Sequence, residues 1–298
     1  MPEPDRHADE VIAAAARQVG LDSTMFAPTG SSRGRTGYGA PDLGLFARVD
    51  GLDHAERVHH EVRFANWALS RSLPTLGLDP RYLAQPIVTA SGLVTFWPLA
   101  LPVATSDIDP STFGQALRRL HSVTDTSAPS AWKPASALRA ALGDVRRKLS
   151  AGSVTLAASE VERILTWLEG PGSALATGVI HGDASPDNAV LLDGTMLLID
   201  FELAGVGPIA YDLSPVRVLA RRFDLPEEFA AATIASSGVS IDPRSQAMLD
   251  RLFELTIILG VIGIYLDRSA FVDEFELRIS SLDDTGARWT PHRQLLLA

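Results

Sequence analysis

Cysteine is absent from the 298 residues. That excludes disulfides, thiolate metal sites and thiol catalysis, and it fits a reducing, cytoplasmic setting. A long apolar run is also missing. The longest, from Leu255 to Leu266, is broken by Thr256 and falls short of the roughly 20 apolar residues a bilayer span needs. It reads as a buried helix, and no membrane association is expected. The opening residues MPEPDRHADE hold no basic region followed by an apolar stretch, so no signal peptide is expected. Basic residues are the minority: 26 Lys and Arg against 36 Asp and Glu leave a formal net charge of −10. Such a chain does not attract a phosphate backbone, which argues against nucleic-acid binding. The acidity suits a cationic ligand. No internal repeat is present.

What remains is an ordinary globular composition, 46% hydrophobic and 21% charged, with length for one large or two modest domains. The chain opens with an alanine-rich helical stretch from Asp9 to Val19. Four glycines between Thr29 and Gly39 forbid a stable helix there and favour a mobile turn. Leu43 to Val49 reads as a strand. Asp53 to Ser70 has helical periodicity through Val58, Val62, Ala65 and Leu69, with Asp53 as the expected N-cap. Ile87–Thr89 and Leu93–Trp97 form a hairpin-like pair. Proline and small residues from Pro98 to Pro110 mark a domain boundary, giving lobes of 1–98 and 99–298. Helices are expected at about 113–123, 136–149, 156–168, 211–222, 226–236, 243–267 and 270–280.

A stretch without helical character runs from Thr177 to Gly207 and holds HGDASPDNAVLLDGTMLLIDFE. Ala189–Leu192 and Met196–Ile199 read as strands around the turn Asp193-Gly194-Thr195. With a three-residue loop, Leu192 pairs with Met196 and Asn188 falls opposite Asp200. Two oxygen-bearing side chains then meet at the open end of one hairpin. Mg²⁺ prefers oxygen and takes few ligands from the protein, leaving places for water and phosphate. Asp183 lies five residues before Asn188. A carboxylate in that loop can orient an acceptor hydroxyl and take its proton during phosphoryl transfer.

HGDxxxxN followed by IDFE and then GPxxYDL resembles the aminoglycoside phosphotransferase and choline kinase-like family. The resemblance extends to most of the chain and implies an α+β, protein-kinase-like two-lobed fold, with a small antiparallel-sheet N-lobe and a mainly helical C-lobe. It implies Asp183 as catalytic base, His181 as a brace of the catalytic loop, Asn188 and Asp200 as Mg²⁺ ligands, and Asp212 as a support of that loop. Arg48 stands where kinases usually place the phosphate-contacting lysine, with Glu61 on the following helix as its ion-pair partner. ATP or GTP is the implied donor, lying between the lobes with its base against Phe96–Leu99, where Pro98 has no N–H to donate. Two departures stand out: arginine replaces lysine at 48, and the glycine-rich segment lacks the GxGxxG order.

Other residues admit plainer readings. Asp187, beside Pro186, reads better as a turn residue than as an acid of the site. Glu202 is open between a contact to metal or substrate and a structural salt bridge. Asp267, Asp273, Glu274, Glu276, Asp283 and Asp284 could bind a cationic sugar, but a solvated helix face is the safer reading. Trp289 is expected to pack against the helical lobe. The leading function is phosphoryl transfer to an aminoglycoside or amino-sugar-like alcohol. The alternatives are kinases of choline, ethanolamine, another small alcohol or another antibiotic, and a nucleotide-binding pseudokinase acting as an interaction module.

Overall fold

The computed structural model describes residues 6–32, 35–124 and 130–296. In chain order the elements begin α1 (Arg6–Gln18), β1 (Ala27–Ser32), β2 (Arg35–Ala40), β3 (Leu45–Asp50), α2 (Ala55–Ser70), β4 (Ile87–Val88), β5 (Leu93–Pro98) and β6 (Leu101–Pro102). They continue α3 (Pro110–His121), α4 (Pro134–Val145), α5 (Ala151–Glu169), β7 (Thr177–Ile180), β8 (Ala189–Leu192), β9 (Thr195–Leu198) and β10 (Gly205–Pro208). The rest is helical: α6 (Ser214–Arg222), α7 (Glu227–Ser237), α8 (Pro243–Gly260), α9 (Ser269–Ser280) and the short α10 (His292–Leu295). The chain divides into two compact units, one of Met1–Ile108, Ser127–Ser130 and Pro186–Gly205, the other of the remainder.

The first unit is built on an antiparallel sheet in the order β1-β2-β3-β5-β4. Strand side chains alternate between faces, and both faces here are covered. Leu45, Ala47 and Val49 of β3, with Val94 and Phe96 of β5, pack under Val11, Ile12, Ala15 and Ala16 of α1. Leu93 and Trp97 take the opposite face and pack with Val58, Val62 and Ala65 of α2. Two helices therefore clothe the sheet. The glycine-rich stretch is strand for most of its length, not a mobile turn, because β1 and β2 pair antiparallel. At Gly37 a Cβ would come within 3.0 Å of the Phe46 ring, so the glycine there makes room for a cross-strand neighbour. Asp53 does not cap α2; it lies in the 3-10 turn Leu52–His54, and the cap position falls to His54.

The second unit is mainly helical around one large apolar core, which includes Leu142, Val161, Ile164, Leu252, Leu255, Ile258 and Phe271. The helix expected over 243–267 ends at Gly260, and Ile262–Tyr265 continues as a 3-10 turn; Gly260 and Gly263 weaken the α-helix there. The Leu255–Leu266 run is indeed buried at most positions. Helices α3 and α7 meet at Gly114, where a Cβ would lie 2.3 Å from the Thr233 carbonyl oxygen. Only glycine permits that approach. Trp289 is buried, with its ring 4.6 Å from the Arg222 guanidinium and 5.3 Å from that of Arg278. Among the described residues no helix is long and apolar enough to cross a membrane.

Candidate active site

The β8–β9 hairpin turns one residue tighter than expected. Leu192 pairs with Thr195 and Ala189 with Leu198, so only Asp193 and Gly194 form the turn, both with positive φ (50° and 75°). Two left-handed residues make the turn whose twist suits a two-residue hairpin, and Asp-Gly is a favoured pair for it. The register moves by one. Asn188 lies opposite Ile199, whose N–H donates to the Asn188 carbonyl at 3.0 Å, and Asp200 follows one residue beyond. Asp200 itself adopts φ 63°, a conformation uncommon outside glycine, asparagine and aspartate. The expected opposition of Asn188 and Asp200 is thus corrected to a diagonal one at the same open end.

The loop before this hairpin is held from below by one carboxylate. Asp212 is fully buried. Its Oδ2 accepts the His181 N–H at 2.8 Å and His121 Nε2–H at 2.9 Å, while Oδ1 accepts the Gly182 N–H at 2.9 Å. A buried ionised group persists only when paired and hydrogen-bonded, and three donors supply that here. Gly182 takes φ 83°, which lets the chain turn between two bonds to the same side chain. The Asp183 N–H then donates to His181 Nδ1 at 3.3 Å. His181 is fully buried and so braces the loop through its ring as well as its backbone.

In the first unit, strand register gathers the charges. Arg35 of β2 stands opposite Asp50 of β3, and Gly37 opposite Arg48. Positions 35, 37, 48 and 50 share a face. Asp50, 1% exposed, accepts from Arg35 Nε at 3.0 Å and from Arg48 Nε at 3.1 Å. Arg48 also makes a two-pronged pair with Glu61 of α2, itself buried. Burial alone would lower the Arg48 pKa, but Glu61 and Asp50 outweigh it and hold the guanidinium above its ordinary value. Arg35 reaches onward to Glu202 and lies 3.7 Å from Asp200 Oδ1; Arg57 Nε lies 3.2 Å from Glu202. Glu202 is therefore committed to two arginines, which favours the structural reading of that residue.

Counting permanently charged groups, three arginines (35, 48, 57) face four carboxylates (50, 61, 200, 202). Among the described residues the group is one positive charge short. The shortage ends at Asp200, whose Oδ1 is buried without a hydrogen-bond partner. Among the described residues no cluster of three or more His, Asp or Glu could hold a metal alone. An open carboxylate oxygen of this kind fits a hard cation such as Mg²⁺, which takes one or two protein oxygens and completes its shell elsewhere.

Arg35 escaped the sequence reading. Its signal was weak: a basic residue inside a glycine-rich run, made meaningful by Glu202 far along the chain. The acids near the C-terminus are exposed, as a solvated face requires, at every position but Glu274. Glu274 is buried and accepts from Arg278 Nε at 2.7 Å and the Thr290 N–H at 2.8 Å. Asp283 pairs with Arg251 at 2.8 Å, Glu276 accepts from Ser153 at 3.2 Å, and Asp284 accepts the Gly286 N–H at 2.9 Å. Asp187 lies in the 3-10 turn Pro186–Asn188.

The profile of the phosphotransferase enzyme family matches residues 45–249, more than half of the chain. The chain belongs to that family. The phosphotransferase is accordingly a small-molecule kinase, and its α+β, protein-kinase-like fold agrees with solved structures. A choline/ethanolamine kinase family protein from Mesorhizobium loti superposes with a TM-score of 0.66 at 18% identity, covering 97% of each chain. An aminoglycoside phosphotransferase from Streptomyces rimosus, solved with ADP and streptomycin, gives 0.64 at 18% identity, covering 83% of this chain and 97% of its own. A choline kinase from Streptococcus pneumoniae gives 0.68 at 11% identity, with 93% and 98% covered. No curated protein sequence matches the phosphotransferase.

Proposed function

We propose that this phosphotransferase moves the γ-phosphoryl group of ATP or GTP onto a hydroxyl of a small molecule. The observation that carries this reading is the loop His181-Gly182-Asp183 clamped through its backbone by Asp212, followed directly by a hairpin that brings Asn188 and Asp200 to one end. Asp183 accepts the proton of the acceptor hydroxyl as its oxygen bonds to phosphorus and the bond to the nucleoside diphosphate breaks. Asn188 and Asp200 hold Mg²⁺, which when bound neutralises phosphate charge. Arg48, fixed by Glu61 and Asp50, presents a preset cation to the nucleotide phosphates. Residues 1–98 serve as the nucleotide-binding lobe, and 99–298 carry the catalytic loop and acceptor site. The work is placed in the cytoplasm, where nucleotide triphosphate is supplied.

An aminoglycoside or amino-sugar-like alcohol is the first acceptor class to test. Support comes from the net charge of −10 and from the Streptomyces rimosus relative solved with streptomycin. Choline, ethanolamine and macrolides follow, since structural relatives include choline kinases and a macrolide 2'-phosphotransferase. The test is a coupled phosphorylation screen with ATP and with GTP, run beside Asp183→Ala. Turnover should fall roughly a thousandfold in the variant while nucleotide binding persists. Undiminished turnover in Asp183→Ala would overturn the assignment.

A further inference from the structure

The helical unit contains a surface cavity of about 450 Å³, within the range of small-molecule sites. Its charged lining is Arg217 and Arg221 of α6, Arg288 after α9, and Glu227 at the start of α7. Three guanidiniums thus stand against one carboxylate. The arginines are fixed from behind. Arg217 Nε donates to Asp250 Oδ2 at 2.9 Å. Arg221 donates to the same oxygen at 3.3 Å and to Glu254 Oε1 at 3.0 Å. Asp250 and Glu254 are each 1% exposed, so they are spent on the arginines and closed to a ligand. Arg288 donates to the carbonyls of Ala220 and Phe223 at the end of α6; among the described residues no carboxylate pairs with it. Arg221 Nε is buried without any acceptor.

Guanidiniums held in place lose little freedom on binding and match planar or tetrahedral oxyanions in pairs. The net charge of the whole chain does not decide the matter at this range, because fields from distant exposed charges are screened over about 8 Å in physiological salt. A cation would meet repulsion from this wall. We propose that the cavity binds a small molecule through a carboxylate or phosphate group gripped by Arg217, Arg221 and Arg288, with its apolar part against Ala230, Ala231 and Ile234. A hydroxylated acid that drives ADP release when bound there is the acceptor itself; one that does not is a separate effector. Naming it the acceptor rests on the phosphoryl-transfer reading, while the binding does not.

Isothermal titration calorimetry on the full chain tests the site, with phenyl phosphate and citrate as probes and benzyl alcohol and spermidine as controls. The anions should bind and the controls should not. Arg288→Met should raise the anion Kd about tenfold, and Arg288→Lys less. Ala231→Phe, which fills the cavity and leaves every arginine in place, should remove binding, and circular dichroism checks that each variant is folded. Absence of anion binding, or equal binding in Arg288→Met and Ala231→Phe, overturns the proposal. ADP release with hydroxy acids or sugar phosphates, weakened in Arg288→Met, assigns the anion to the acceptor. Binding without ADP release assigns it to an effector. Failure of the phosphoryl-transfer reading would appear separately, as nucleotide turnover indifferent to Asp183→Ala.

Discussion

Each unit carries a buried set of arginines and carboxylates, and the two sets are finished differently. In the sheet unit, Arg35, Arg48 and Arg57 face Asp50, Glu61, Asp200 and Glu202, and the chain of pairs runs out at a side chain 30% exposed with an oxygen that accepts no hydrogen bond. In the helical unit, Glu254 takes Arg221, Arg222 and Arg251 together. Arg222 then closes the set onto the carbonyls of Leu282, Asp284 and Ala287. Buried ion pairs add little net stability by themselves, but breaking one strands a charge. The closed set ties α6 and α8 to the segment after α9. The open set keeps one valence for a ligand. Similar residue types thus serve architecture around Arg222 and poise for chemistry around Asp200, while Arg221, whose Nε has no acceptor, lines the cavity.

The contrast can be broken most forcefully at Arg222. Arg222→Met leaves Glu254 short of a partner and three carbonyls short of a donor, and should cost about 3–5 kcal/mol of stability, measured by urea unfolding. Nucleotide affinity per folded molecule should not change; if it does, the helical set is not purely architectural. Asp200→Asn inverts the pattern. Mg²⁺-dependent nucleotide binding should weaken about a hundredfold, read by titration calorimetry, with the urea midpoint close to wild type. A large stability loss there would mean the open set is structural after all.

Arg35→Met gives a smaller effect of opposite sign. Arg35, 3.7 Å from Asp200 Oδ1, competes with a metal ion for that carboxylate through an attraction of ~1 kcal/mol even at the dielectric of water. The Mg²⁺ concentration for half-maximal nucleotide binding should therefore fall about fivefold, and an unchanged value would remove Arg35 from the site. The smallest effect concerns pH. His60 Nε2–H donates to the Ala204 carbonyl at 2.8 Å, and burial holds its pKa below the ordinary value. The unfolded chain takes a proton near pH 6.5 that the folded one refuses, so stability should decline as pH falls from 7 towards 5. His60→Gln should flatten that slope in unfolding curves.

The fold class was legible because apolar periodicity and one dense motif agreed: strands at 43–49 and 87–97, helices after residue 110, and a hairpin between the Asp183 loop and Asp200. The register was not. It depended on whether Thr195 joined the turn or the strand, a choice made by two left-handed residues at 193 and 194. The cap of α2 was misread because Asp53 fell one residue early, inside a 3-10 turn. Arg35 and the cavity arginines were invisible for a shared reason. An arginine declares its role through partners, and Glu202, Asp250 and Glu254 lie far from those arginines in sequence. Of the C-terminal acids only Glu274 departs from a solvated face, and its burial against Arg278 shows likewise only through the partner.

Gly114 bears on all of this from a distance. Helix α7, which supplies the apolar side of the arginine cavity, rests against α3 at a point where a hydrogen atom stands in place of a side chain. The spacing of that helix pair is thus a dimension written by omission, and alanine and serine at 114 are successive shims. Any such shim widens the gap between α3 and α7 without touching a single charge, so the bore of the cavity and the grip of its arginines become separately adjustable.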